Sequence, residues 1–219
     1  MKILKFSVCI LMLFMLCGCK YGADYIDPEE RYIVTALGFE NNDDGILVIM
    51  ETMSVIEDNE NPKKLYYGFG RYASTAIINA EASAPADVIL SQCPVILIGD
   101  SVTGDNLKNI FEFCVSSYDI SLSVQVLNCE NVSEILSVRS GEISVGHKIL
   151  RMLNHFEKGT EITKIGRFSN IVAADEKSKN FCIPHLIAND DIFKVDGLSV
   201  YKKYFKMQKI ALKDGNENE

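Results

Sequence analysis

The most specific chemical signal in this sequence is a cysteine close to its start. The run Leu16-Cys17-Gly18-Cys19 offers a leucine at −3, a small residue at −1 and a cysteine at +1 of a cleavage site. A cysteine sulfur at +1 is the nucleophile that can take a diacylglycerol through a thioether, and Gly18 leaves a peptidase room at the scissile bond. This pattern resembles the bacterial lipobox. It predicts signal cleavage between Gly18 and Cys19, and lipidation of Cys19.

The residues before Cys19 have the three parts of a signal peptide. Lys2 and Lys5 form a short positive start, and the eleven residues of Phe6–Leu16 are apolar. An apolar stretch of ~7–15 residues is usual for signal peptides, whereas a transmembrane helix needs about 20. We therefore predict a signal peptide over residues 1–18 and a polar tether over residues 19–30. An ordinary secretory signal with a chance cysteine, or an uncleaved anchor, is the alternative.

The histidines and glycines do not form a motif that indicates catalysis or a cofactor. His147 and His155 are eight residues apart, which is not the i, i+4 spacing of a zinc motif, and His185 stands alone. The run Gly68-Phe69-Gly70 lacks the third glycine of a Rossmann turn and the Lys-Ser/Thr of a P-loop, so tight packing or a bulge is the better interpretation. No serine sits in GxSxG. The sequence predicts no catalytic residue, no metal site and no cofactor.

Four cysteines of the predicted mature chain have apolar neighbours and form no CxxC pair. These residues (Cys93, Cys114, Cys129 and Cys182) are interpreted as small buried thiols. A disulfide formed after export remains open, because export favours oxidation and the sequence cannot supply the pairing. The adjacent carboxylates of Asp43-Asp44 and Asp190-Asp191 are interpreted as solvated turn residues.

Charge and composition exclude some partners. The chain has 30 acidic and 22 basic residues, a formal charge of −8, and 47% hydrophobic residues, which is ordinary for a globular protein. An acidic chain has no electrostatic reason to bind phosphate backbones, and it lacks a basic patch for anionic lipids. Nucleic acid is therefore not expected as a partner.

The apolar patterns predict an α+β fold with mixed sheets and packed helices over residues 31–212, and they leave open whether it divides into two small lobes. Asp44-Gly45 predicts a hairpin, because glycine accepts the positive φ of such turns. The strands are expected at Tyr32–Phe39, Ile46–Val55, Leu65–Tyr72, Val95–Ile98, Leu122–Leu127, Phe181–Ile187, Ile192–Val200 and Tyr204–Leu212, with Leu122–Leu127 half-buried. Residues 213–219 are expected to be a frayed tail.

Four helices are predicted, and a segment at Thr163–Ala174 is left as helical or irregular. The first is capped by Ser74 or Thr75, broken near Pro85, and buries Ile77, Ile78, Val88, Ile89 and Leu90. The second covers Asn106–Val115. The third, Glu142–Glu157, is expected to be the longest, and Asn131 is a natural cap for a short helix ending near Val138.

The order of several motifs resembles one known family. After the lipobox come Tyr32-Ile-Val-Thr-Ala-Leu-Gly-Phe-Glu, the turn at Asp44-Gly45, Val95-Ile-Leu-Ile-Gly-Asp, Ile110-Phe-Glu-Phe, and Val195-Asp-Gly-Leu-Ser-Val-Tyr. This order is similar to the N-terminal region of the Ger(x)C family, the C-subunit lipoproteins of spore germination nutrient receptors. The chain departs from the family pattern at Lys20-Tyr21, Ser91-Gln92 and Ser116. Family members continue into a C-terminal domain, whereas this sequence stops at Glu219.

The resemblance implies a non-enzymatic subunit, held by lipid on the outer face of the bacterial cell membrane or inner spore membrane. Its implied partners are the membrane-spanning subunits of a germinant receptor. A free-standing envelope lipoprotein that binds a small ligand or a cell-wall component is the alternative. A shortened paralogue, a split product and a truncated reading remain open.

Overall fold

The computed structural model describes residues 31–42, 44–54, 63–138, 143–156, 162–177, 179–189 and 192–212. The predicted signal peptide, Cys19, the tether and the tail therefore lie outside the described residues. The strands are β1 (Arg31–Asn42), β2 (Gly45–Ser54), β3 (Lys63–Gly70), β4 (Asp87–Ile89), β5 (Val95–Gly99), β6 (Gln125–Cys129), β7 (Phe181–Asn189), β8 (Ile192–Lys202) and β9 (Phe205–Ala211). The helices are α1 (Ala73–Ala82), α2 (Gly104–Ser116), α3 (Val132–Ser137), α4 (Val145–Phe156), α5 (Ile162–Gly166) and α6 (Phe168–Glu176).

All nine described strands belong to one mixed sheet, in the order β3-β2-β1-β5-β6-β7-β8-β9, with β4 pairing beside β1. The central strands β1, β5, β6 and β7 are parallel, and antiparallel strands flank them on both sides. Every residue of β5 and β6 is buried, as expected where helices cover both faces of parallel strands. The predicted α+β class with a mixed sheet is confirmed, and the described strands form one sheet rather than two lobes.

Helices pack on both faces of the sheet and divide the core into two clusters. One cluster joins α1, α2 and α6 to the sheet, with Phe39, Ile98 and Phe111 among its members. The other joins α3 and α4 to the opposite face, around Leu97 and Leu127. None of the described helices is both long and apolar enough to cross a membrane.

The hairpin predicted at Asp44-Gly45 is present, but glycine is required at position 45 for a reason other than a positive φ. Asn42 pairs with Gly45, so Gly45 is the first residue of β2. Among the described glycines, Gly104 alone has a positive φ, of 60°. A Cβ on Gly45 would lie 2.5 Å from the carbonyl oxygen of Gly70. Close approach of β2 and β3, rather than turn conformation, therefore requires glycine there.

The first predicted helix is the one that the structure corrects most. Its N-cap is Tyr72, which makes no side-chain cap bond, rather than Ser74 or Thr75. The helix ends at Ala82, ahead of Pro85, and Ile78 is 61% exposed. Val88 and Ile89 lie in β4. The apolar residues after Pro85 satisfy a strand pattern as well as a helical one, which is why the sequence misplaced them.

Two further expectations change in detail. The predicted half-buried strand Leu122–Leu127 is β6, which begins at Gln125 and is completely buried. The helix expected to be longest, α4, has 12 described residues against 13 in α2. The expectations for α2 and for the cap at Asn131 are confirmed: the Asn131 side chain accepts a bond from the Glu134 amide at 2.9 Å. Thr163–Ala174 is helical, in two short pieces.

Candidate functional site

The structure locates the residues that were considered for a chemical role as follows. Gly18 and Cys19 lie outside the described residues, as do Asp43, Asp190 and Asp191. His147 and His155 are exposed on α4, whereas His185 is buried in β7. Among the described residues, no three His, Cys, Asp or Glu side chains are grouped as a metal site would require.

The thiols of the described residues are free, and burial suppresses their reactivity. Cys93, Cys114 and Cys129 are buried and Cys182 is partly buried, which confirms the prediction for the first three. Burial raises the pKa of the Cys93 thiol to about 12. It also raises the pKa of Cys114, Cys129 and Cys182. A thiol that stays protonated is a poor nucleophile, so these cysteines act as small apolar side chains.

The Gly68-Phe69-Gly70 run is a packing feature, as predicted. A Cβ on Gly68 would lie 2.1 Å from the Ala76 carbonyl oxygen and 2.2 Å from the Ala80 amide nitrogen. Helix α1 therefore lies directly against the backbone of β3. Only glycine permits that approach, and no phosphate cradle is needed to explain it.

A buried carboxylate that the sequence analysis missed joins four elements. Glu51 of β2 is 0% exposed. Its carboxylate accepts hydrogen bonds from the amides of Val145, at 2.7 Å, and Gly146, at 2.9 Å, and from the Thr35 hydroxyl, at 2.8 Å. Lys63 Nζ lies 3.4 Å away and also donates to the carbonyls of Leu136 and Val138. The charge thus caps the start of α4, where the helix dipole favours an anion.

Glu40 does the same for α3 from the end of β1. Its Oε1 accepts from the amides of Val132, at 2.6 Å, and Ser133, at 3.1 Å, and its Oε2 accepts from the Ser133 hydroxyl. A signal for Glu51 was available in the sequence, because it is the one charge within the apolar run of β2. The helix amides that it caps, of Val145 and Gly146, lie more than ninety residues along the chain, so they could not be inferred.

A polar cluster lies at the carboxyl ends of β5 and β6, where ligands of open parallel sheets usually bind. Lys206 Nζ donates to Asp100 Oδ1 at 2.5 Å and to Asn128 Oδ1 at 3.2 Å. The Ser199 hydroxyl donates to Asn128 Oδ1 at 2.6 Å, and Asn128 Nδ2 donates to the Ile98 carbonyl. These groups satisfy one another. The cluster therefore fastens β8 and β9 to the centre of the sheet rather than presenting a reactive group.

Tyr201 borders that cluster and carries a buried hydroxyl without a protein partner among the described residues. Burial raises the pKa of Tyr201, and the negative charge of Asp100 adds to the effect. The hydroxyl is therefore neutral and is not a candidate base.

The turn between β8 and β9 holds two non-glycine residues in left-handed backbone conformations. Lys203 has φ 47° and Tyr204 has φ 68°, which costs energy at each position. The Gly104 amide donates to the Tyr204 carbonyl at 2.9 Å, and the Tyr204 hydroxyl donates to Asp175. Its ring also contacts Phe111 edge-on. Contacts from α2 and α6 therefore compensate the strain and fix the hairpin tip.

A partly buried pair links the last three strands of the sheet. His185 Nδ1 lies 2.8 Å from Asp196 Oδ1, and Lys209 Nζ lies 2.7 Å from Asp196 Oδ2. Burial alone would raise the pKa of Asp196, but the hydrogen bonds from Lys209 and His185 outweigh it and lower the pKa. The pair links β7, β8 and β9. It resembles part of a catalytic triad only in residue type, since no activated nucleophile accompanies it among the described residues.

The comparison with protein families decides the affiliation of the chain. A family model described as "Spore germination protein N-terminal domain" matches residues 24–188, about three quarters of the sequence. The chain belongs to the Ger(x)C family of spore germination proteins. The match covers β1 to nearly the end of β7, and the hairpin of β8 and β9 follows it.

One solved structure, described as the crystal structure of the GerBC protein, is similar to this chain. The identity is 11% and the TM-score is 0.39, over 80% of this chain and 51% of that chain. The chain thus spans about half the length of GerBC. No curated protein matches the sequence.

Ger(x)C membership confirms the resemblance drawn from the motifs. The motif segments on which that resemblance rests form strands of the sheet: Tyr32–Glu40 is most of β1, and Val95–Gly99 is β5. The family motif residue Glu40 is the cap of α3. The motif residue Asp100 is the partner of Lys206.

Proposed function

We propose that this chain is a lipid-anchored, non-enzymatic subunit of a germinant receptor. It acts by contacting membrane-spanning receptor subunits at the outer face of the inner spore membrane. The observation that carries the proposal is the Ger(x)C family match over residues 24–188. The lipobox at Leu16–Cys19 supports the anchor, because a cysteine at +1 is the residue that lipidation requires.

The chemistry of the described residues is consistent with an interaction role. The half-buried carboxylate of Glu40 and the buried carboxylate of Glu51 cap helices, the buried thiols have raised pKa values, and the cluster around Asn128 fastens strands. Each of these groups already has a structural task. Catalysis would need a group with no such task, in a water-excluding pocket, beside a second reactive group.

The anchor is tested with Cys19→Ser, compared with Cys17→Ser as the matched control. We expect the Cys19→Ser protein to lose metabolic labelling by fatty acid and to leave the membrane fraction, whereas the Cys17→Ser protein keeps both. Intact-mass measurement should show a chain beginning at lipidated Cys19. Membrane retention of the Cys19→Ser protein, or an uncut N-terminus at Met1, would contradict the anchor.

The receptor role is tested by affinity purification from spore membranes solubilised in a mild detergent. We expect membrane-spanning germinant receptor subunits to copurify with the wild-type chain. A protein that is abundant in vegetative cells and copurifies with none of these subunits would contradict the role. Thermal stabilisation of that protein by amino acids or wall fragments would instead favour the free-standing lipoprotein.

A further inference from the structure

The two edges of the sheet differ in how they are protected. An edge strand exposes backbone amides and carbonyls that can pair with another chain, and natural proteins usually cover such edges or guard them with charges. The edges here are β3 on one side and β9 on the other. Comparing them shows which one is available to a partner.

The β3 edge is occupied near the carboxyl end of the strand. Helix α1 packs on the β3 backbone at Gly68 and Gly70, where a Cβ would lie within 3 Å of helix atoms. Asn79 of α1 reaches the outer side of the strand and donates to the Phe69 carbonyl at 2.7 Å. A second strand at this end of β3 would have to displace this bond.

The β9 edge is open in the part of the chain that the structure describes. Six of its seven residues are exposed, and the exposed fractions of Phe205, Met207 and Ile210 are 59%, 61% and 47%. These are large apolar side chains on a strand that is paired on one side only. Such an edge is the usual template for pairing with an extended segment of another protein.

The register identifies the backbone groups that face outward. The Leu212 amide donates to the Asp196 carbonyl at 3.1 Å, and Ala211 stands opposite Gly197. In an antiparallel ladder, this geometry makes Gly197 and Ala211 a non-hydrogen-bonded pair. The amide and carbonyl of Ala211 therefore point away from β8, and by alternation so do those of Lys209. The bulge between Val200 and Tyr201 limits the regular outer edge to Gln208–Ala211.

The lysines that could guard this edge are neutralised. Lys206 is paired with Asp100 at 2.5 Å, and Lys209 is paired with Asp196 at 2.7 Å. Burying an unpaired lysine beneath an added strand would be costly, which is how inward charges protect edges. Here each ammonium already has a carboxylate partner, so that protection is weakened.

The charge of the hairpin indicates the chemistry of the occupant. With Lys206 and Lys209 neutralised, the positive charge of the hairpin is concentrated at its tip, whereas the whole chain has a formal charge of −8. Lys202 and Lys203 are exposed at the tip. A second copy would bring an equally basic hairpin to this one, so the charges at the tip favour a segment of opposite sign.

We propose that β9 is a docking edge for an extended, acidic and partly apolar segment of a partner protein, which adds to the sheet at Lys209 and Ala211. The proposal deepens the interaction role stated above and rests on it. It can fail alone: receptor subunits that copurify through another surface would leave the role intact.

The test uses the full chain solubilised in a non-ionic detergent and a fluorescein-labelled peptide of alternating glutamate and valine, as long as β9. Binding is followed by fluorescence anisotropy, with a lysine–valine peptide as the charge-reversed control. We expect the acidic peptide to bind more weakly as salt is added. Ala211→Pro removes the outward amide without removing a bond to β8, and should weaken binding by about tenfold or more. Ala211→Ser is its matched control and should bind as wild type does.

Lys203→Glu tests the charge without altering the outer backbone of β9, and it should also weaken acidic-peptide binding. Hydrogen exchange of β8 amides in the Ala211→Pro protein verifies that the hairpin is intact.

No binding of the acidic peptide, or equal binding by the Ala211→Pro protein, would overturn the proposal. Sedimentation showing a dimer that Ala211→Pro dissociates would assign the edge to a second copy. Pelleting of the Cys19→Ser protein with phosphatidylglycerol vesicles, lost in Lys203→Glu, would assign it to a membrane, and either result overturns the proposal.

Discussion

Replacing Glu51 by glutamine tests whether a single buried charge holds the start of α4 against strands β1, β2 and β3. Glutamine has nearly the same shape, but only one of its two terminal atoms can accept a hydrogen bond. In the wild-type chain, both carboxylate oxygens accept: Oε1 from Val145, and Oε2 from Gly146 and Thr35. The amide group of glutamine would therefore face at least one backbone N–H, donor against donor.

The expected loss of stability follows from these contacts. A buried amide left without its acceptor costs about 1–3 kcal/mol. Lys63, whose side chain is only 17% exposed, also loses its carboxylate at 3.4 Å, and breaking a buried ion pair on one side costs about 3–5 kcal/mol. The two losses share the same atoms and do not add. We expect Glu51→Gln to lower the free energy of unfolding by about 3–5 kcal/mol, a fall in Tm of roughly 10 °C for a chain of this size.

Urea unfolding followed by far-ultraviolet circular dichroism measures this change, with Glu112→Gln as the matched control. Glu112 makes an exposed i, i+4 pair with Lys108 on α2, so its substitution should change stability by less than about 0.5 kcal/mol. Adding Lys63→Met to Glu51→Gln should recover part of the loss, because no unpaired ammonium then remains. A loss below about 1 kcal/mol in the Glu51→Gln protein would refute the assignment of Glu51 as the cap and counter-charge.

Three further experiments test other parts of the fold. The pKa of Asp196 is lowered from 3.8, so the stabilisation by its carboxylate is present above pH 3.8 and is lost as the pH falls through the pKa of the folded state. The urea midpoint should therefore fall more steeply between pH 6 and pH 2.5 in wild type than in the Asp196→Asn protein. Parallel curves would contradict this. Iodoacetamide at pH 8 should label Cys182 well before Cys93, because Cys93 is buried with a pKa of about 12. Peptide mass spectrometry measures the rate at each cysteine, and fast labelling of Cys93 would refute the burial argument. Gly146→Ala should destabilise the chain by more than about 2 kcal/mol in urea unfolding, since the new Cβ would lie 1.7 Å from the Thr35 carbonyl oxygen. A glycine-to-alanine change in a helix usually stabilises by up to about 1 kcal/mol. Such a stabilisation here would show that α4 is not packed as described.

Local patterns were sufficient to predict most strands of the sheet. The runs that became β1, β2, β5 and β7 are apolar, bounded by turn residues, and long enough to bury a strand. The helix α2 was predictable because Leu107, Ile110 and Cys114 repeat at helical spacing, and all three are buried. The small strand β4 was not predictable, since its three residues follow Pro85 in a segment that also suits a helix.

The polar residues of the candidate site were much harder to predict than the core. Asn128 and Lys206 meet across the sheet from positions 78 residues apart, and neither belongs to a motif. Lys206 in particular is one of five lysines in its hairpin, with nothing local to distinguish it. Which charge is neutralised and which is exposed depends on strand order, and strand order is set by the whole sequence.

The helix starts explain why local cap rules worked once and failed elsewhere. Asn131 caps α3 from the adjacent position, as the sequence predicted, but Glu40 satisfies the same helix from β1. The first amide of α1 donates to Asn109 of α2, and the first amides of α4 donate to Glu51 of β2. Because these caps come from distant elements, the starts of α1 and α4 are stabilised only when the elements that supply the caps have packed against them. Helix ends and sheet therefore depend on one another, which ties the local stability of α4 to the integrity of β2.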